Sequence, residues 1–235
     1  MKYIFGNWKM NMDTQSIKNF FKTIKTNKQN LVGLAVPSIY FPLCQKLARN
    51  IKIGLQNISE YQEGAYTGEL SASMAFDNQV DFCIVGHSER RHIYKESSKT
   101  ISQKILQLQT FNILPILCIG ETLNDYKKGS TKEVLTKQLK ESLQNIDLSL
   151  PIIIAYEPVW SIGTNLTPST QEIQDICSFI KSQTQNLSSN IVLYGGSVNP
   201  QNCNEILNLP SVDGALVGGA SLNPTSFSKI INLGE

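Results

Sequence analysis

Two hydrophobic patterns alternate along the chain. Short continuous runs of apolar residues, many of them β-branched, predict strands that are buried on both faces, as in a parallel sheet. Between them, apolar residues recur every three or four positions, which predicts helices with one buried face. The clearest strand is 152–157, Ile-Ile-Ile-Ala-Tyr-Glu, which ends on a carboxylate. The clearest helical face follows Asp13, a predicted N-cap, and consists of Ile17, Phe20, Phe21 and Ile24.

The strand and helix patterns alternate eight times, with no change in composition that would mark a linker. The predicted strands are 3–5, 31–36, 51–56, 81–85, 113–119, 152–157, 191–194 and 215–217. Eight strand–helix units in 235 residues predict an α/β protein with a single domain, 1–235, folded as a (β/α)8 barrel. A doubly wound open sheet shares this alternation. It is disfavoured because the first strand-to-helix turn lacks a G-x-G-x-x-G pattern and because eight units close a barrel.

In a (β/α)8 barrel, the residues that follow the strands meet at one face of the molecule. The polar and small residues predicted to meet there are Asn7, Lys9, His87, Glu157, Ser197 and Gly218. His87 stands at the predicted start of a short helical turn, where positive potential favours a neutral imidazole. A neutral imidazole can donate a hydrogen bond to a carbonyl and stabilise an enediolate. Because such a histidine is predicted to face Glu157 across the barrel mouth, we interpret Glu157 as a catalytic residue rather than as an ordinary solvent-facing glutamate at a strand end.

Charge and glycine pairs at the same face indicate a phosphorylated ligand. Lys9 follows the first strand directly and can hold a negative oxygen by its charge, with Glu89 as the predicted ion partner. The sequences 195–197, Gly-Gly-Ser, and 218–219, Gly-Gly, follow strands seven and eight, the usual phosphate position in this fold. Backbone N–H groups can approach phosphate oxygens closely where no Cβ intervenes.

The segment 158–166 follows the sixth strand and has the composition of a lid. A stiff Pro-Val-Trp start is followed by small residues, which is typical of a mobile loop with a defined hinge. The next helix is predicted to begin at Thr167-Pro168, with threonine as N-cap and proline at the first helical position.

Composition excludes several other classes of protein. Lys and Arg total 21 against 19 Asp and Glu, a net charge of +2, so no basic surface for nucleic acid or an acidic membrane is expected. No membrane span or signal peptide is expected either, because the apolar runs are too short. Five scattered cysteines without a C-x-x-C pair indicate free thiols in the cytoplasm. No metal site is predicted, and no organic cofactor is expected, because a proton shift beside a carbonyl needs only acid–base groups.

Along its whole length the chain resembles the triosephosphate isomerase family. The motifs that carry the resemblance are 6–11 (GNWKMN), 56–57 (QN), 64–69 (GAYTGE), 86–91 (GHSERR), 118–121 (CIGE), 155–160 (AYEPVW), 194–198 (YGGSV) and 213–222 (DGALVGGASL). The resemblance implies a TIM barrel that interconverts dihydroxyacetone phosphate and D-glyceraldehyde 3-phosphate. This family is the standard example of a glutamate base, a neutral histidine and a closing lid.

The resemblance also implies roles for individual residues. Glu157 is the base, His87 and Asn7 polarise the carbonyl, and Lys9 balances the charge of substrate and intermediate. Two further residues join the catalytic set, Ser88 and Glu89. The implied substrate- and phosphate-binding residues are Asn7, Lys9, Gly163, Ser197, Gly218 and Gly219, of which the last four contact the phosphate. At the far end of the lid, the pair Asn165-Leu166 departs from the family's usual small or basic residues.

The long connection 57–70 resembles the family's dimerisation loop. It implies a homodimer in which Thr67 reaches toward Asn7 and Lys9 of the other subunit. Two other functions remain open on the residues alone. A Schiff-base aldolase would use Lys9 as its nucleophile, and a non-catalytic phosphosugar-binding protein would need only the glycine sites.

Overall fold

Eight parallel strands pair in chain order and close into a barrel, because the first strand pairs with both the second and the eighth. The computed structural model describes residues 1–162 and 166–232. The strands are β1 Tyr3–Asn7, β2 Leu31–Val36, β3 Lys52–Leu55, β4 Phe82–Val85, β5 Leu114–Ile119, β6 Ile153–Tyr156, β7 Ile191–Tyr194 and β8 Gly214–Val217. The predicted (β/α)8 TIM barrel is confirmed, with strand ends within two residues of the predicted ones.

Helices follow the strands around the outside of the barrel. In the described ranges they are α1 Thr14–Thr23, α2 Phe41–Leu47, α3 Ala72–Asp77, α4 Ser88–His92, α5 Ser98–Thr110, α6 Leu123–Lys127, α7 Thr131–Ser142, α8 Thr170–Gln183, α9 Cys203–Leu207 and α10 Pro224–Ile231. Short 3₁₀ turns lie at Ser38–Tyr40, Val159–Ser161 and Gly219–Leu222. Among these helices none combines the length and apolar character that crossing a membrane requires; the longest, α8, has 14 residues.

The start of α8 differs from the predicted one. The helix begins at Thr170, so the predicted start at Thr167-Pro168 is wrong. Ser169 is the N-cap because it forms a capping box with Glu172, in which each side chain accepts a hydrogen bond from the backbone N–H of the other residue. This reciprocal pair satisfies two N–H groups, whereas the threonine-proline pair offers a single cap.

Large side chains inside the barrel are accommodated by glycine on a neighbouring strand. The rings of Phe5 and Phe82 meet edge to face, with centroids 4.8 Å apart. A Cβ on Gly33 of β2 would lie 2.5 Å from Cδ1 of Phe5, so only glycine fits beside this pair. The other buried residues of this inner layer are Ala35, Ile84, Ile116, Cys118, Ile153, Ala155, Leu193 and Leu216. A second apolar layer packs the helices on the outside of the strands.

The connection 57–70 has a defined shape. The Ser59 N–H donates a hydrogen bond to the Leu70 carbonyl at 2.7 Å, which closes the base of the loop. The rings of Tyr61 and Tyr66 stack with centroids 3.9 Å apart and are nearly parallel. Both tyrosines are exposed to solvent. The loop therefore presents an ordered aromatic surface.

Candidate active site

Glu157 lies at the C-terminal end of β6, in the mouth of the barrel. Its N–H donates a hydrogen bond to the Ile119 carbonyl at 2.7 Å, and the residue is only 2% exposed. Carboxylate Oε1 lies 3.2 Å from His87 Nε2, and Oε2 accepts a hydrogen bond from the Ser88 N–H at 3.0 Å. Because both oxygens have a partner, the carboxylate is held in one orientation.

His87 is buried and forms the N-cap of α4. Its Nδ1 accepts a hydrogen bond from the Glu89 N–H at 3.2 Å, so Nδ1 carries no proton in this arrangement. The ring proton is then on Nε2, which faces Glu157 Oε1. The Glu89 carboxylate Oε2 is 3.6 Å from Nδ1, beyond hydrogen-bond distance. The geometry thus favours a neutral imidazole whose Nε2–H points into the site.

Two glycines make room for the backbone and side chain of Glu157. A Cβ on Gly195 would lie 2.9 Å from Glu157 Cγ, and a Cβ on Gly120 would lie 1.7 Å from the Glu157 carbonyl oxygen. The Cys118 thiol is also close: burial, with the neighbouring Glu157 charge, raises its pKa well above the ordinary value. Cys118 is therefore a packing residue in this wall, and its thiol stays protonated.

Lys9 occupies a strained turn just after β1. Its φ of 51° lies in the left-handed region, which costs roughly 1–3 kcal/mol for a residue with a side chain. Two hydrogen bonds hold the turn: the Lys9 N–H donates to Asn7 Oδ1 at 3.0 Å, and Gln56 Nε2 donates to the Lys9 carbonyl at 2.9 Å. The Lys9 ammonium reaches Glu89 Oε1 at 2.6 Å. Burial would raise the pKa of Glu89, but the hydrogen bond from Lys9 and the positive charge of Lys9 lower it overall.

A cavity of about 330 Å³ opens beside these groups, between the ends of β7 and β8. Ser197 lines it, and its hydroxyl donates a hydrogen bond to the Ser161 carbonyl at 2.9 Å. Gly218 and Gly219 line it as well; a Cβ on Gly219 would meet no atom within 4 Å. The backbone there borders open space, as a phosphate site requires. The predicted phosphate contact Gly163 lies outside the described residues.

Two residues that support the site were not assigned a role from the sequence. Gln56 holds the Lys9 turn, as described above. Glu121 is fully buried after β5 and accepts hydrogen bonds from Trp160 Nε1 at 2.8 Å and the Tyr156 hydroxyl at 3.2 Å. It thereby fixes the start of the segment that follows Glu157. The signal was present, since Glu121 follows a strand at the same barrel face as the predicted site residues.

Comparison with known sequences decides the family. The profile described as Triosephosphate isomerase matches residues 2–234. The chain belongs to the triosephosphate isomerase family. A protein named triosephosphate isomerase from Mesomycoplasma hyorhinis is 41% identical over 242 residues, which cover 99% of this chain and 98% of that protein. Proteins of the same name from Francisella philomiragia subsp. philomiragia and Francisella tularensis subsp. novicida are 42% and 41% identical over 243 residues. Each match covers 98% of this chain and 96% of the relative.

In this member of the triosephosphate isomerase family, most of the residues predicted from the sequence meet at one cavity. Those that line it are Asn7, Lys9, His87, Glu157, Ser197, Gly218 and Gly219. Ser88 and Glu89 are not part of this lining and act through their neighbours. Ser88 contacts Glu157 through its backbone N–H, and Glu89 contacts Lys9 through its carboxylate.

Proposed function

We propose that this chain is an aldose–ketose isomerase that interconverts dihydroxyacetone phosphate and D-glyceraldehyde 3-phosphate through an enediolate. The observation that carries the proposal is a buried carboxylate, Glu157, facing Nε2 of a neutral His87 at 3.2 Å in a cavity that also contains the Lys9 side chain. An acid–base pair of this kind can move a proton next to a carbonyl. Membership of the triosephosphate isomerase family supports this substrate and reaction.

Substrate binding follows from the two sides of the cavity. The phosphate would bind at the glycine side, near Gly218, Gly219 and the hydroxyl of Ser197. The carbonyl end would then lie toward His87 and Lys9. Glu157 Oε1 and His87 Nε2 are 3.2 Å apart, however, so substrate cannot lie between them in this arrangement. Substrate binding therefore requires the Glu157 carboxylate to turn and give up one of its present contacts.

The proposed proton transfer uses four side chains. Glu157 takes a proton from C1 of dihydroxyacetone phosphate, and the electron pair moves onto the carbonyl oxygen at C2. The His87 Nε2–H and the Lys9 ammonium stabilise that oxygen, and Asn7 is placed to donate its amide. Glu157 then returns the proton to C2, while the hydroxyl proton moves from one oxygen to the other. The product is D-glyceraldehyde 3-phosphate.

The predicted lid 158–166 stays a prediction, because residues 163–165 lie outside the described ranges. Its described beginning is compatible with a defined hinge. Trp160 is bonded to Glu121, and the Val159 N–H donates to the Glu121 carbonyl at 3.1 Å. A loop anchored in this way would exclude water from the enediolate and limit loss of its phosphate.

We further propose that residues 1–235 form one domain and that the enzyme is cytoplasmic. We also propose that two copies form a two-fold homodimer through the 57–70 loop. Met10, next to Lys9, is 96% exposed, and Ile39 is also highly exposed. A second cavity of about 340 Å³ lies beside them and is lined by Lys9 and Glu89. The aromatic 57–70 loop of another subunit is suited to cover this surface.

Sedimentation tests the dimer. The wild type is expected at twice 26.2 kDa at micromolar concentration. Thr67→Arg, which places a charge on the loop, is expected to shift the population to monomer and to lower kcat together with it. A monomer with full activity would separate assembly from the site and contradict this part of the proposal.

A coupled isomerase assay tests the reaction. Glu157→Gln removes the base but keeps the shape of the side chain, so kcat should fall by at least roughly 10²–10⁴-fold, as is typical of general acid–base groups. Glu133→Gln, at an exposed position of α7, is the matched control and should keep wild-type kcat. Wild-type turnover in Glu157→Gln would contradict the assignment of Glu157 as the catalytic base.

The same preparation separates the two other candidate functions. An aldolase would be trapped covalently by borohydride in the presence of substrate, and a binding protein would show no turnover. The geometry gives the aldolase less support. The Lys9 ammonium is held by Glu89 at 2.6 Å, and an ion-paired ammonium is a poor nucleophile.

A further inference from the structure

Tyr126 on α6 contacts both ends of the connection between β6 and α8. Its ring packs against Trp160 with centroids 4.4 Å apart and an interplanar angle of 32°. Its hydroxyl donates a hydrogen bond to Glu172 Oε1 at 2.6 Å. We propose that Tyr126 is a positioning residue for the isomerisation, because it ties Trp160 to α8 and so fixes the position of Ser161 beside the phosphate side of the cavity. This inference rests on the proposed function.

At the first end, two groups among the described residues contact Trp160. Its Nε1 donates to Glu121 at 2.8 Å, while the ring packs against Tyr126. The next residue, Ser161, is fully buried, and its carbonyl accepts the hydrogen bond from the Ser197 hydroxyl. A displacement of the indole would therefore move the carbonyl that orients Ser197.

At the second end, Glu172 divides its carboxylate between two tasks. Oε2 accepts hydrogen bonds from the N–H and the hydroxyl of Ser169, at 2.8 and 2.7 Å, in the capping box of α8. Oε1 is left for Tyr126. The hydrogen bond from Tyr126, with those from Ser169, lowers the pKa of Glu172 below its ordinary value. Tyr126 therefore reaches the start of α8 through a carboxylate that is itself fixed.

The backbone of Tyr126 is also held in place. Helix α6 begins with a capping box between Thr122 and Asp125, and the Tyr126 N–H donates to the Thr122 carbonyl at 2.9 Å. Tyr126 does not line the cavity of about 330 Å³, so it can act only through its neighbours. It is 39% exposed, so its replacement leaves the main apolar layers unchanged.

Three variants separate the two contacts of Tyr126. Tyr126→Leu removes both the ring packing and the hydroxyl. Tyr126→Phe keeps the ring on Trp160 and loses only the hydrogen bond to Glu172. Phe179→Leu is the matched control: it replaces a partly buried aromatic residue of α8, whose ring packs against the outer apolar layer and lies 5.3 Å from the Lys132 ammonium.

Acrylamide quenching of tryptophan fluorescence measures the first contact. The chain has two tryptophans, and Trp8 is fully buried, so quenching reports mainly on Trp160. Tyr126→Leu is expected to increase the quenching constant, whereas Tyr126→Phe and Phe179→Leu should match the wild type. Unchanged quenching in Tyr126→Leu would overturn the proposal, because Trp160 would then be held without Tyr126.

Steady-state kinetics measure the consequence at the site. Tyr126→Leu is expected to raise KM for triose phosphate, and Ki for inorganic phosphate, by about three- to tenfold, the range for losing one aromatic pair. Tyr126→Phe should show a smaller rise in both constants, and Phe179→Leu none. Wild-type KM and Ki in both Tyr126 variants, or equal rises in Phe179→Leu, would overturn the positioning role.

Failure of this inference is distinguishable from failure of the proposed function. If the wild type does not isomerise triose phosphates, the proposed function fails. The quenching series needs no turnover and still tests the contact between Tyr126 and Trp160. If the wild type is active and the Tyr126 variants behave as the wild type, only the positioning role fails.

Discussion

Gly195→Ala is predicted to lower the activity of the enzyme by displacing its base. The new Cβ would lie 2.9 Å from Glu157 Cγ, whereas ordinary contacts are 3.4–4 Å, so Cγ must move by at least about 0.5 Å. Glu157 has little space, because His87 and Ser88 hold its two oxygens and the residue is 2% exposed. A misplacement approaching 1 Å costs about 10²-fold in rate. We therefore expect kcat to fall about ten- to a hundredfold, with a smaller change in KM, because the atoms nearest to the new Cβ belong to Glu157 and Tyr156 and not to the phosphate-side residues Ser197, Gly218 and Gly219.

The assay compares kcat, KM and the free energy of unfolding with those of a second glycine variant. Overpacking at Gly195 should also destabilise the fold by about 1–3 kcal/mol. Gly129→Ala is the control, because Gly129 has a φ of 71° and no atom lies within 4 Å of its added Cβ. It should lose about 1–2 kcal/mol from backbone strain and keep full kcat. If Gly195→Ala keeps wild-type kcat, Glu157 is not confined as the distances indicate.

Two further changes test the charged and neutral partners of the substrate. Lys9→Met should lower kcat/KM by roughly ten- to a hundredfold and weaken inhibition by inorganic phosphate, because one charge serves bound substrate and transition state; survival of both would make Lys9 an ordinary lysine. ¹⁵N NMR of labelled His87 near neutral pH should report a neutral ring protonated at Nε2 only, since Nδ1 accepts the Glu89 N–H. A spectrum with both nitrogens protonated would contradict the assigned hydrogen bond.

The position of the site was predictable because strand ends in a parallel barrel share one face. A run of apolar residues identifies each strand locally, and closure then brings together side chains as distant in sequence as Asn7 and Ser197. The same argument places Glu157 opposite His87 from the sequence alone. It requires only that the strands be counted correctly, and their ends were predicted within two residues.

Contacts between side chains that follow different elements were not predictable in this way. The packing of Tyr126 against Trp160 depends on the rotation of a five-residue helix, which has no clear apolar period. The left-handed φ of Lys9 is stabilised by two hydrogen bonds that the local apolar pattern does not show. One comes from Gln56, which is distant in sequence, and the other is a turn in which the Lys9 N–H donates to the Asn7 side chain. The start of α8 was misplaced because Thr167-Pro168 and Ser169 are both acceptable local signals. The Glu172 partner decides between them.

Glu121 makes stability depend on pH in a predictable direction. Burial raises the pKa of its carboxyl above the ordinary 4.5, although hydrogen bonds from Trp160 and Tyr156 offset part of this effect. The folded protein therefore binds this proton more tightly than the unfolded chain. Glu121 therefore lowers the free energy of unfolding least below about pH 4.5, where its carboxyl is protonated in both states. The free energy of unfolding decreases as pH rises from there through the folded-state pKa of Glu121, and above that pKa the effect of Glu121 is constant. Replacement by glutamine removes the buried charge and, with it, this dependence.

Urea unfolding of wild type and Glu121→Gln across about pH 4.5 to 7.5 measures the effect. The difference in free energy of unfolding, variant minus wild type, should increase with pH. Only the slope of this difference with pH tests the argument. Its absolute value also includes the cost of burying the glutamine amide nitrogen at the position of Oε2, which has no hydrogen-bond partner among the described residues. Glu133→Gln controls for a surface carboxylate. A Glu121→Gln difference that stays constant over this pH range would mean that folding does not change the proton affinity of Glu121, and the argument from burial would fail.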